Sequence, residues 1–222
     1  MIVTNRIWQD FMPKLKAHLL PRPRKEAGDR AFEFIQQGLG QIPQGPEAEV
    51  NEDIAFKYNR IYLHNIMRIN YTTYDVRRAQ DIINITKSRH DIMVLAHDHG
   101  GSQNPDLDPH FLYARVLGIF HINAIYLGAG SLWDYRPIRI DFLWVRWFKT
   151  LSFGSLKACA MERLGFPPMA DEHAFGFLDP SDVVRGCHLI PAFASGKHYS
   201  EGKGISFCAR DSHDFHEYYV GQ

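Results

Sequence analysis

Between residues 60 and 89, Arg60, Arg68, Arg77, Arg78, Lys87 and Arg89 alternate with Tyr62, Tyr71 and Tyr74. Cationic side chains neutralise phosphates while aromatic rings stack on bases, so this mixture is a candidate nucleic-acid surface. Its candidate contact residues are Arg60, Arg68, Tyr71, Tyr74, Arg77 and Arg78. The competing role is a solvated β surface with ordinary ion pairs. A second group, Tyr113, Trp147 and Phe148, offers rings that suit a ligand or peptide, in competition with simple core packing.

Other constellations point to chemistry more weakly. His97, Asp98, His99 and His110, and separately His213, Asp214, His216 and Glu217, have the side chains of metal ligands. Neither group has the paired spacing of a zinc framework, so no metal ligand is expected. The carboxylates Asp75, Asp81, Asp91, Asp106, Asp108, Asp141, Asp171, Asp179 and Asp182 could serve a divalent-metal nuclease only if several converged on rigid elements. Asp75 and Asp179 suit helix caps, and Asp106 and Asp108 suit turns. Cys187 and His188 are adjacent, so on a strand they point to opposite faces and do not make a nucleophile–base pair. No Walker loop, dinucleotide fingerprint or nucleophile elbow is present. The expectation is a chain with no catalytic residue and no cofactor.

The elements that must carry these residues are short. Residues 7–20 repeat apolar side chains at helical spacing, with Pro13 kinking the helix or starting it afresh. Pro21-Arg22-Pro23-Arg24-Lys25 reads as a basic linker, and Asp29 caps a second short helix reaching Gln37. Residues 38–53 read as a loop. Strands follow over Ile61–Thr73, Asp91–Ala96, Phe111–Leu127 and Pro137–Phe148, and again near 160–164 and 188–193. Asp75 to Gln80 reads as one helical turn, and Asp179-Pro180-Ser181-Asp182 as another. In Phe111–Leu127, Tyr113, Arg115, Leu117 and Ile119 share one face, and Ala114, Val116, Gly118 and Phe120 the other. The expected fold is mainly β with short helices (α+β). It is a curved antiparallel sheet or partly open β-barrel, preceded by an N-terminal helical segment. The expected divisions are residues 1–53, 54–195 and a poorly ordered tail over 196–222.

Composition narrows the functional classes. The 222 residues carry a formal net charge of zero, so attraction to a polynucleotide must come from a local patch. Three cysteines far apart suggest reduced thiols in place of a disulfide framework. No segment has the apolar run of a signal peptide or a membrane span, so an intracellular chain with no membrane partner is expected.

Several blocks resemble a known family. They are Asn59-Arg60-Ile61-Tyr62, Arg68 through Arg78, Asp91 through Leu95, Tyr113 through His121, and Phe142 through Phe148. Ala174 through Pro180, Arg185 through Phe193, and Tyr218-Tyr219-Val220 continue the series. Together they are similar to the accessory region that follows the transposase core in fungal Plavaka-type DNA transposon proteins. The resemblance implies a non-catalytic binding module that engages DNA, or a transposase or chromatin protein, in the nucleus. Its alternatives are a divalent-metal nuclease fragment and a vestigial protein-interaction domain. A shorter resemblance, carried by Tyr113–Phe120, Val145–Phe148 and Gly186-Cys187-His188, is to bromo-adjacent homology (BAH) domains. It implies a BAH-like β fold in which Trp147 or Phe148 helps grip a methylated cation.

Overall fold

A computed structural model describes residues 11–26, 29, 53–87, 89–96, 111–128, 136–152, 161–199 and 201–221. Its one named helix, α1 (Phe11–Leu19), buries Phe11, Leu15 and Leu19, four residues apart on one face. Pro13 is the third helical residue, where a missing N–H breaks no intrahelical bond. Residues 21–26 are also helical, which corrects the linker expected there. Pro21 starts this segment in the first-turn position that proline tolerates.

The rest of the described chain is mainly β. The strands are β1 (Ile54–His64), β2 (Ile66–Thr72), β3 (Arg78–Asn84), β4 (Asp91–Leu95), β5 (Phe111–Tyr126) and β6 (Ile138–Trp147). They continue as β7 (Lys149–Ser152), β8 (Arg163–Gly165), β9 (Phe175–Leu178), β10 (Val183–Gly186), β11 (His188–Pro191) and β12 (Tyr218–Gly221). One sheet runs β10-β4-β5-β6-β9, with β1 also paired to β5; a second runs β11-β12-β8-β7; β2 and β3 form a two-stranded ribbon. Among the described residues these are open sheets, so the partly open barrel is corrected. The end strands β7, β9, β10 and β11 have four residues each, a length that limits exposed edge.

The described residues fall into two compact units. One takes the described residues within 64–119 and 142–221; the other takes those within 11–63 and 120–141. In the second unit, Ile122, Ala124 and Tyr126 of β5 are buried in alternation, the period of a half-buried strand. The Leu127 N–H donates to the Asp53 carbonyl.

In the first unit, strand alternation builds two cores. Ala114 and Val116 of β5, with Leu143 and Val145 of β6, pack with Ile69 and Ile83 from the ribbon and with Ile85 just beyond it. Tyr113, on the other face of β5, packs with Phe148, Leu164, Leu189, Tyr218 and Val220. The ribbon therefore covers one face of the central strands, and β8, β11 and β12 cover the other.

The stretch 61–73 is two strands, broken at Asn65, where one was expected. The helical turn expected from Asp75 to Gln80 is instead a hairpin turn followed by β3. Asp75 accepts from the Thr73 hydroxyl and pairs with Arg77, so it organises a turn in place of a helix. The turn at Pro180–Asp182 is as expected: Asp179 caps it by accepting from the Ser181 N–H at 2.8 Å. The final segment differs from the fading tail expected. Between Gly196 and Gly221 it buries Ser206, Ala209, Asp211, Asp214, Tyr218 and Val220 and supplies β12. Asp211 secures it by accepting from the Ile205 and Ser206 N–H groups at 2.8 and 3.1 Å.

Candidate functional site

The ribbon carries most of the arginine–tyrosine stretch, but it sorts those residues by face. β2 and β3 are paired from Ile66↔Asn84 to Thr72↔Arg78. Period-two alternation turns Met67, Ile69, Ala79, Asp81 and Ile83 inward and leaves Ile66, Arg68, Asn70, Thr72, Arg78, Gln80 and Ile82 exposed. The outward face thus holds two arginines and no carboxylate. Gln80 Nε2 donates to Asn70 Oδ1 across the strands at 2.7 Å, fixing an amide pair between Arg68 and Arg78.

Two contacts hold the ribbon from beneath. Asp81, turned inward, accepts from the Gly186 N–H at 3.1 Å and lies 3.5 Å from Arg185 Nε. A Cβ on Gly186 would meet Ile83 Cδ1 at 3.1 Å, so glycine there lets β10 approach closely. Tyr71 belongs to this inner side. Its ring lies under the Arg185 guanidinium at 4.3 Å, and its hydroxyl accepts from Arg185 at 3.1 Å.

The hairpin tip exposes Tyr74 completely and Val76 at 82%. Val76 has φ 62°, a left-handed conformation that costs a β-branched residue energy and favours glycine. Arg77 stands beside them, 83% exposed, with Asp75 as its partner. Of the six candidates, Arg68, Arg78, Tyr74 and Arg77 therefore share the outer face and tip of one ribbon, while Tyr71 props it. Arg60 lies on β1, 5.9 Å from the Tyr58 ring, in the other unit.

Tyr113, Trp147 and Phe148 do not converge on one surface. Tyr113 and Phe148 are buried in the second core, with Phe148 stacked on Phe166 at 4.1 Å. The Tyr113 hydroxyl donates to Glu162 at 2.9 Å, and burial raises its pKa further from neutrality. Trp147 packs against the first core instead, over Gly176, where a Cβ would meet its Nε1 at 2.7 Å.

A buried charge network, absent from the sequence expectations, occupies the second core. Asp91 and Arg115 are direct partners in the β4–β5 ladder, so their side chains share a face. Arg115 Nε donates to Asp91 at 3.1 Å, and its Nη1 donates to Asp214. Arg146 of β6 donates from Nη1 to the other Asp214 oxygen at 2.6 Å. The Tyr218 hydroxyl donates to Asp214 at 3.2 Å. Both guanidinium groups lie over the Phe166 ring, Arg146 at 3.7 Å and Arg115 at 4.8 Å.

The two arginines titrate differently for a physical reason. Burial lowers Arg115, but Asp91, Asp214 and Tyr218 overcome it and raise it. Burial lowers Arg146 as well; Asp214 opposes this, while the positive charge of Arg115 adds to it. Both remain cations wherever the protein is folded.

Six of the sequence-identified carboxylates are likewise engaged. Asp75 serves Arg77, Asp81 serves Gly186 and Arg185, Asp91 serves Arg115, and Asp141 pairs with Arg139. Asp171 and Asp179 accept backbone N–H groups. Asp106, Asp108, His97, Asp98, His99 and His110 lie outside the described residues. In the second histidine group, Asp214 belongs to the charge network, and Glu217 pairs with Arg163 at 3.2 Å. His216 Nδ1 faces His198 Nδ1 at 3.0 Å.

Comparison with known proteins gives no match: no protein-family model, curated protein or solved structure matches this chain. Among the described residues, no helix is long and apolar enough to cross a membrane.

Cys187 has the environment of a packing residue. Burial pushes its thiol up, and the Asp91 carboxylate adds to the effect. A raised pKa means less thiolate at any given pH, and thiolate is the reactive form. Site-resolved alkylation at pH 8 should therefore modify Cys187 at least ~tenfold more slowly in the folded protein than in denaturant. Equal rates would show an accessible nucleophile.

Proposed function

We propose that this chain is a non-catalytic binding module that engages nucleic acid through the outer face and tip of the β2–β3 ribbon. The observation that carries the reading is the composition of that face: Arg68 and Arg78 flank the Asn70–Gln80 amide pair, with no acid among them. A two-stranded ribbon is one of the two elements that the major groove of B-DNA admits. Its seven-residue strands extend about 23 Å at ~3.3 Å per residue, enough to follow a groove across several base pairs. Arginines on such a face meet phosphates or guanine edges, and amides meet adenine edges. Tyr74 at the tip offers a ring for stacking.

The resemblance to Plavaka-type accessory regions supplies the setting, a nuclear transposition or chromatin assembly, and the BAH resemblance agrees with a β module in that setting. The nuclease alternative is less well supported, because Asp75, Asp81, Asp91 and Asp141 are engaged by arginines and Asp171 and Asp179 by backbone N–H groups. Gel retardation of a labelled duplex of about 20 base pairs tests the reading. Binding should be measurable at ~50 mM salt and fall steeply by ~200 mM, as counterion release requires. The duplex should stay intact with magnesium present. Cleavage that chelator abolishes, or no retardation at low salt, would refute it.

A further inference from the structure

We propose that His198 and His216 form a two-histidine site for a tetragonal divalent transition-metal ion, with copper(II) the best fit. Sequence spacing groups His216 with His213, Asp214 and Glu217. Asp214 and Glu217 are committed to arginines, and the fold brings His198 to His216 instead.

The backbone puts the two rings on one face. Lys197 and Phe215 form an antiparallel bridge, so His198 and His216 occupy diagonal positions on the same side of it. Both are tied at the main chain. The His198 N–H donates to the Asp214 carbonyl at 2.8 Å, and the His216 N–H to the Gly196 carbonyl at 3.2 Å. Asp214 is itself anchored by Arg115 and Arg146, so the frame is held from beneath. The two Nδ1 atoms face each other at 3.0 Å, with the rings crossed at 63°. Both histidines are exposed, so an ion reaches them from solvent.

Distance selects the ion. With metal–nitrogen bonds of about 2.0–2.1 Å, two nitrogens at a right angle lie about 2.9 Å apart, and at the tetrahedral angle about 3.3 Å. The observed separation is nearer the right angle, which tetragonal copper(II) and nickel(II) take, and copper(II) binds nitrogen sites more tightly. In the metal-free pair one ring donates its Nδ1–H to the other. On binding, that ring takes the other neutral tautomer, with its proton on Nε2, and both Nδ1 lone pairs serve the metal. Among the described residues no carboxylate, thiol or third imidazole completes a three-residue group here, so water fills the remaining positions. Charge agrees with a cation. The neighbouring buried charges are three carboxylates, Asp91, Asp211 and Asp214, against two guanidinium groups, Arg115 and Arg146, an excess of one negative. Lys197 stands on the other face of the bridge, over the Phe215 ring at 5.8 Å.

Titration of the full chain with copper(II) chloride in a weakly coordinating buffer, followed by calorimetry and electron paramagnetic resonance, tests the proposal. At least one ion should bind with a dissociation constant below ~100 μM and give a tetragonal spectrum with couplings from two imidazoles. His198→Gln and His216→Gln each keep a hydrogen-bonding side chain but remove an imidazole. Each should weaken binding at least ~tenfold and leave coupling from one imidazole. Thermal unfolding should show both variants folded, because both positions are exposed. His173→Gln, at a histidine 86% exposed elsewhere on the chain, should leave binding unchanged. Coupling to fewer than two imidazoles in the parent, or copper affinity unchanged in both the His198 and His216 variants, would overturn the proposal. So would the absence of saturable binding by ~100 μM.

Discussion

Asp214→Ala should cost about 3–5 kcal/mol of folding stability, the range found when one member of a buried ion cluster is removed. The loss exceeds that of an ordinary ion pair because Asp214 serves three groups at once. Arg115, Arg146 and the Tyr218 hydroxyl all donate to it, and its side chain is 4% exposed. Without it, Arg146 keeps no carboxylate partner among the described residues, and Arg115 keeps only Asp91. Two buried cations beside the Phe166 ring then repel each other without the carboxylate that pairs with both. Glu217→Ala provides the contrast. Its partner Arg163 is 42% exposed, and such pairs contribute at most about 1 kcal/mol. Denaturant unfolding of both variants, with the slope checked for two-state behaviour, measures the difference. Equal midpoints for the two would mean that the network carries little of the folding energy.

Parts of this arrangement were legible in the sequence and parts were not. The alternation of Tyr113 and Arg115 against Ala114 and Val116 gave the two faces of β5, and these face separate cores. Asp179 before Pro180 gave its turn. The same period-two rule places Arg68 and Tyr71, three residues apart, on opposite faces, so the division of the arginine–tyrosine stretch was available from spacing. β3 was hidden because its inward residues include Asp81, which reads as polar surface until Gly186 is brought above it. The charge network was hidden for a related reason. Arginines within the apolar strands 111–126 and 138–147 call for buried acids. Asp91 stands directly across from Arg115, but Asp214 is 99 residues away, in a segment whose glycines, serines and histidines suggest a fading tail. Local hydrogen bonds to Asp211 and the tertiary contact of the Tyr218 ring with Phe148 order that segment.

The ribbon yields the second large effect. Arg68→Ala with Arg78→Ala removes both cations from the outer face and leaves the inner contacts of Ile69, Asp81 and Ile83 untouched. Fold stability should therefore change little, since exposed substitutions of this kind stay within ~0.5 kcal/mol each. DNA affinity should change much more. Each phosphate contact contributes about 0.9 to the slope of log affinity against log salt, so losing two flattens the slope by about 1.8. Across a fourfold rise in salt, that is roughly a tenfold difference in how much affinity is lost. Asn70→Ala with Gln80→Ala makes a companion variant with all charges intact; its salt slope should match the parent, and any change should fall on sequence preference.

The most direct measurement is the affinity of one duplex for the parent chain and for the Arg68→Ala/Arg78→Ala chain at four or five salt concentrations. The ribbon account predicts two straight lines, the variant's shallower by about 1.8. Parallel lines would show that the nucleic acid, if held at all, is held elsewhere on the protein.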